Sequence, residues 1–226
     1  MTMICALPAR AQAPDGRLTV LGRGVVERTP DHAVIQVGVS TRAPTPTEAL
    51  DANSASAARV IAFAKRFGVQ ATDIRTRSVD ITANFRMVSE PGGRSRQEPD
   101  GYSASNRVAI VIRDLARLGL FLRDVLNEGA NGISGVVFGL NDPAEAGDAA
   151  RLAAVEDATR KASLLAGATK TKLGRVLQID HPPRAEHRPS DGAADLPSRR
   201  GRLMAVPIET GVIEVSAEVE ISWATE

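Results

Sequence analysis

Between Tyr102 and Gly119 the spacing of apolar residues changes period without a break in the chain, and this switch limits the available folds. Val108, Ile110 and Ile112 fall on one side of the run and Arg107 and Arg113 on the other, the period-two pattern of a half-buried strand. From Asp114 onward Leu115, Leu118, Leu122 and Val125 recur at helical spacing, and Asp114 is placed to accept the free amides of the first turn. A strand therefore feeds a helix with almost no linker, which requires both a sheet and a helical layer.

Both periods recur along the chain. Leu18 to Gly24 reads as a strand, Thr29-Pro30-Asp31 as a turn and Ala33 to Val39 as a second strand, together a hairpin. Gly22-Arg23-Gly24 lacks the third glycine of a phosphate loop, and Pro30 follows where a helix should begin, so it reads as a strand with a glycine bulge. Thr45-Pro46-Thr47-Glu48 is a capping box with proline at the first helical position. The helix it opens has Leu50, Ala57, Ile61 and Ala64 in its buried stripe and stops at Gly68. Asn53, Ser54 and Ser56 read as exposed helix positions. From Ile74 to Met87 the chain alternates again, with Val79, Ile81, Ala83 and Phe85 on one face. A polar stretch over 89–101, carrying Arg94 and Arg96, then returns it to Tyr102 as an extended hairpin.

The helix from Asp114 ends near Gly129, and Ile133 to Leu140, almost free of polar residues, reads as a strand buried on both faces. Asp142-Pro143-Ala144-Glu145 is a second capping box, opening a helix that can run to Ala166 before Gly167. Ala146, Ala150, Ala154, Ala158, Ala162 and Ala166 form a ridge of small side chains that lets another backbone come close, while Arg151, Glu156, Asp157, Arg160 and Lys161 exclude a membrane reading of that spacing. Leu173 to Asp180 is a further strand. Residues 182–205 read as a flexible loop, rich in proline and carrying Arg184, Arg188, Arg199, Arg200 and Arg202. Ile213 to Trp223 is the cleanest strand, with one buried and one acidic face. At a sheet edge it could pair with another copy, but Glu214, Glu218 and Glu220 oppose an identical strand, which favours a basic surface such as Arg75 and Arg77 or the arginine-rich loop; a central position closes that route.

Charge and chemistry narrow the function classes. The 28 basic and 27 acidic residues leave a net charge of +1, so no single-sign field attracts nucleic acid or anionic lipid. Aromatics at 3% offer few stacking platforms, and no apolar run approaches a membrane span. The single cysteine, Cys5, precedes Ala11-Gln12-Ala13, which has the form of a signal-peptidase site, so residues 1–13 read as a signal-peptide remnant. Cleavage there would leave no thiol for peroxidase chemistry. His32, His181 and His187 lack the helical spacing of a preformed metal site, and Ser134 lies in a strand outside any Gly-x-Ser-x-Gly segment. Asp180, Glu218 and Glu220 read as the wet faces of strands. No catalytic residue, cofactor or metal is expected.

Gly-Tyr-Ser-Ala-Ser-Asn-Arg-Val ending at Val108 and Arg-Asp-Leu-Ala-Arg-Leu-Gly ending at Gly119 resemble the signature of the SIMPL-domain family of bacterial envelope proteins. So do Leu18 to Gly24, Pro30-Asp31-His32-Ala33, Lys161-Ala162, Leu173-Gly174-Arg175-Val176 and Val212 to Trp223. The resemblance implies a SIMPL-like domain over 14–226, in an α+β fold with antiparallel sheet packed against helices; the element order from Ala33 to Leu140 is compatible with a ferredoxin-like half. It also implies a periplasmic or outer-membrane-associated protein in a family with immunogenic and oxidative-stress-defence members, at least one of which forms a ring-like homo-oligomer, and no established catalytic residues. The expected function is a non-enzymatic exported envelope protein, an oligomeric scaffold or stress-protective factor. The alternative is a small-molecule or lipid-headgroup binding module using the arginine-rich loop, with Arg94, Arg96, Arg184, Arg188, Arg199, Arg200 and Arg202 as partner contacts.

Overall fold

The computed structural model describes residues 16–89, 95–181, 186–189 and 208–226. The strands are β1 (Gly16–Arg28), β2 (His32–Ala43), β3 (Ile74–Ser89), β4 (Ser95–Ile112), β5 (Gly132–Gly139), β6 (Leu173–Asp180), β7 (Glu186–Pro189) and β8 (Ile213–Thr225), and the helices α1 (Pro46–Phe67), α2 (Leu118–Asn127) and α3 (Pro143–Thr169). The strands form two four-stranded sheets, β3-β4-β2-β5 and β1-β8-β6 with β7 beside β8, and they belong to two compact units. The architecture is α+β, with antiparallel pairing and helices packed on sheet.

In the unit built on Thr29–Asn141, the chain order is strand, helix, strand, strand, helix, strand. The spatial order β5-β2-β4-β3, antiparallel throughout, is the ferredoxin-like arrangement. Ile35, Val37 and Val39 of β2 and Val108, Ile110 and Ile112 of β4 pack against Ala57, Val60 and Ala64 of α1 and Leu118, Phe121, Leu122 and Val125 of α2. Phe63, Phe67 and Phe121 meet with ring centroids 5.1 to 5.7 Å apart. At ten residues α2 is too short to persist alone, and its four buried side chains, each worth roughly 1.5–3 kcal/mol, hold it.

The cap of α1 is the expected one. Thr45 Oγ1 accepts the Glu48 amide at 3.3 Å, and Gly68 closes the helix at φ 107°. The buried stripe, however, is Ala49, Asn53, Ala57, Val60 and Ala64, and Leu50 and Ile61 flank it half-buried. Asn53 is therefore not an exposed position. Its Nδ2 donates to the carbonyls of Val39 and Ala104, both at 2.9 Å, supplying a donor to β2 and β4 beneath the helix. Asp114 does not cap α2. The chain leaves β4 through a 3-10 turn at Leu115–Arg117, the Asp114 side chain bonds no amide, and the helix starts only at Leu118. Nor is β5 buried on both faces. Among the described residues it pairs with β2 alone, at the sheet edge, and leaves Val137 56% exposed.

In the other unit, the expected hairpin of the first two strands does not form: β1 pairs with β8, and β2 lies in the other sheet. Val20, Gly22 and Gly24 of β1 face α3, and a methyl group added to Gly22 or Gly24 would land on the helix backbone at Ala154 or Ala150. The alanine ridge thus serves internal packing, against the strand glycines and against Val219, Ile221 and Trp223. Asp142 caps α3 by accepting the Glu145 amide at 3.0 Å. Gly167 does not stop this helix. It continues to Thr169, and Lys170 closes it at φ 57°, its amide bonding the carbonyls of Ala166 and Gly167. β8 is central between β1 and β6, so its backbone edges are already used.

Candidate interaction surface

The feature with the strongest functional implication is the hairpin of β3 and β4. The β2–β4 register ends at Ala43 opposite Tyr102, whereas β3 and β4 stay paired beyond it from Phe85 opposite Pro99 to Ser89 opposite Ser95. Strand β4 starts at Ser95, so most of the stretch read from sequence as a polar tip is ladder. Gly101, at φ 73°, lies in a bulge where β4 carries one extra residue between Tyr102 and Pro99, and a side chain there would strike the Ala43 carbonyl. The result is a two-stranded arm beyond the sheet, and an isolated two-stranded ribbon is marginal in water.

One face of β3 carries Val79, Ile81, Ala83, Phe85 and Met87. The four large side chains are 51%, 46%, 56% and 68% exposed. Scattered exposed apolar residues are ordinary, but these form a continuous row on a strand that, among the described residues, pairs only with β4. The opposite face of the arm is polar: Glu98 accepts Arg86 at 3.2 Å and Arg96 at 2.5 Å. The arm thus offers an apolar face, a charged face and an outer main-chain edge.

Of the arginines expected to contact partners, Arg96 lies within β4 and is engaged by Glu98. Arg94, Arg184, Arg199, Arg200 and Arg202 fall outside the described residues, and Arg188 lies in β7 with its side chain undescribed. The exposed row was present in the sequence as alternation, but alternation does not say whether the apolar face is covered.

The remaining charged groups are mostly tied to one another. Asp157 accepts Lys161 at 2.6 Å, Arg160 at 2.6 Å and the Arg23 amide at 3.1 Å, and its pKa is held far below the usual carboxylate range, first by Lys161. Glu218 accepts Arg23 at 3.0 and 2.5 Å, which removes it from the acidic row as a free partner for another copy. His32 Nδ1 lies 2.7 Å from Asp31, and His181 Nδ1 3.3 Å from the Glu218 carbonyl. Asp180 accepts Gln178, and Ser134 is an exposed residue of β5 opposite Gln36. Among the described residues no group of three or more histidine, cysteine or acidic side chains is placed to hold a metal, and no helix is long and apolar enough to cross a membrane.

The family model described as SIMPL, a protein of unknown function (DUF541), matches residues 18–223. The 26 kDa periplasmic immunogenic protein of Brucella abortus (strain S19) is 30% identical over 179 residues, covering 77% of this chain and 72% of the relative. The uncharacterized protein YggE of Escherichia coli (strain K12) is 28% identical over 178 residues, covering 78% of this chain and 70% of that one. YggE of Edwardsiella ictaluri (strain 93-146) is 26% identical over 170 residues, covering 75% and 70%.

Proposed function

The chain belongs to the SIMPL family, and on that premise we propose that it is a non-enzymatic, exported protein of the periplasm that works as a self-assembling scaffold or stress-protective factor. The observation that carries the reading is the apolar row Val79, Ile81, Phe85 and Met87 on the β3–β4 arm. A ribbon of this kind gains stability by docking its apolar face, and a second copy of the chain offers the same face and the same free edge. The Brucella relatives carry a periplasmic name, which supports the compartment.

Assembly through this surface is apolar rather than charge-complementary. Salt screens attraction between exposed charges over a length of about 10 Å at 0.1 M and a shorter one as salt rises, whereas burial of apolar area persists. Arg75 and Arg77, exposed on β3, flank the row and set its orientation rather than its strength. Light scattering on the protein lacking residues 1–13, across micromolar concentrations at low and high salt, tests this. A particle of several copies that survives high salt supports the reading; a strict monomer at every concentration overturns it.

A further inference from the structure

The unit with the ferredoxin-like sheet also holds a cavity of about 210 Å³, where the end of α1 meets the end of β4 and the turn before α2. Phe67, Val69 and Ile112 give it apolar lining, and Arg113, Asp114 and Arg117 bring charge. Arg113 is spent: it donates twice to Asp73, both at 2.9 Å, and once to Asn141 at 2.8 Å. Arg117 is not. Its guanidinium carbon sits 4.2 Å from the centre of the Phe67 ring, and the one hydrogen bond of the guanidinium among the described residues, to the Phe67 carbonyl, is long at 3.5 Å. Most of its donors are therefore open, and no carboxylate among the described residues lies within ion-pair distance. The Asp114 carboxylate, likewise, has no hydrogen bond or ion pair among the described residues, although its backbone carbonyl accepts the Arg117 amide at 3.1 Å.

Asp114 stands just before the 3-10 turn and Arg117 ends it, and no ion pair joins the two side chains among the described residues. Here the arginine is held on the aromatic ring instead, a stacking that guanidinium groups favour. Two opposite charges are left unspent beside an apolar wall. We infer that this cavity binds a small α-amino acid with an apolar side chain, its carboxylate on Arg117, its ammonium on Asp114 and its side chain against Phe67, Val69 and Ile112. The end of α1 carries partial negative charge and adds to the preference for an ammonium group. Arg113 and Arg117 balance Asp73 and Asp114, so the lining is neutral in sum and does not select a plain anion. The volume is below the roughly 300–1,000 Å³ of drug-sized pockets and suits a small ligand.

This inference is independent of the assembly reading. It is tested by titrating the full chain with leucine, with N-acetyl-leucine, which lacks the ammonium, with leucine amide, which lacks the carboxylate, and with inorganic phosphate, followed by calorimetry. Leucine is expected to bind saturably at millimolar concentration, the blocked forms and phosphate at least about tenfold more weakly, and R117Q and D114N to weaken leucine about tenfold. Both positions are exposed, so circular dichroism and melting temperature should stay at the wild-type values. Should R117Q lower the melting temperature, D114N and the ligand comparison decide. The inference is overturned by absent leucine binding, by equal binding of a blocked form or of phosphate, or by unchanged affinity in D114N.

Discussion

Asp31 accepts the backbone amide of Asn141 through both carboxylate oxygens, at 3.0 and 2.8 Å, across 110 positions of sequence. The Asp31 amide in turn donates to the Gly139 carbonyl at 3.1 Å, so β2 and β5 are fastened at this end by main chain and side chain together. Beside them the His32 ring lies over Gly139, where a side chain could not fit. Replacing Asp31 by alanine is expected to destabilise the protein by about 1 kcal/mol, less than the roughly 1.5–3 kcal/mol of a hydrogen bond to a charged group because the carboxylate is partly exposed. Denaturant unfolding of D31A against wild type measures it.

The same carboxylate and Asp157 set the response to acid. Burial pushes the Asp31 pKa up, but the bond from Asn141 and the neighbouring His32 pull it down further, and the net value lies below the ordinary 3.8. Asp157 lies far below that value because of Lys161, the Arg23 amide and Arg160. A depressed carboxylate binds its proton more readily in the unfolded chain. Its contribution is therefore complete above the ordinary carboxylate range and drains away as pH falls below about 4. Melting temperature should be flat toward neutral pH and fall on acidification, and D157N should show a shallower fall. A D157N profile parallel to wild type would contradict the assignment.

Asn53 is expected to be intolerant of truncation. N53A leaves the Val39 and Ala104 carbonyls without their donor beneath α1, and the expected loss is about 3 kcal/mol. S54A, one position along on the exposed face, should change stability by less than about 0.5 kcal/mol. Equal effects in the two variants would show that the amide bonds contribute nothing.

Gly22 and Gly24 should resist even alanine. The added methyl group meets helix backbone rather than a flexible side-chain end, so α3 must move off β1. The expected cost is about 3 kcal/mol for either substitution, at the upper end for overpacking. Gly167, whose added methyl meets nothing, is the control, and G167A should be neutral or slightly stabilising.

Local signals in the sequence carried over well. Thr45 to Glu48 and Asp142 to Glu145 specify their helix starts because a cap is settled within four residues of chain. Lys170 was missed because nothing in its side chain announces a left-handed conformation. Sheet partners were the harder part. β1 joins β8 instead of β2, and no local pattern encodes a choice between strands so far apart in the chain. The interaction surface shows the limit most clearly. Ile213 to Trp223 and Val79 to Met87 alternate alike, yet the apolar side chains of the first are buried and the large ones of the second lie open. Alternation reports that two faces differ; what covers them is decided by the helices. The cavity beside Arg117 depends on a ring and a guanidinium brought together from positions 67 and 117, a pairing with no sequence signature.

Association through the β3–β4 arm is read most plainly in the sedimentation of the double variant F85S/M87S beside wild type. Both side chains stand on the exposed face, so the fold should be unaffected and circular dichroism unchanged. Wild type is predicted to sediment as a particle of several copies at micromolar concentration, and the variant as a monomer. A variant that sediments with the same mass as wild type would contradict the claim.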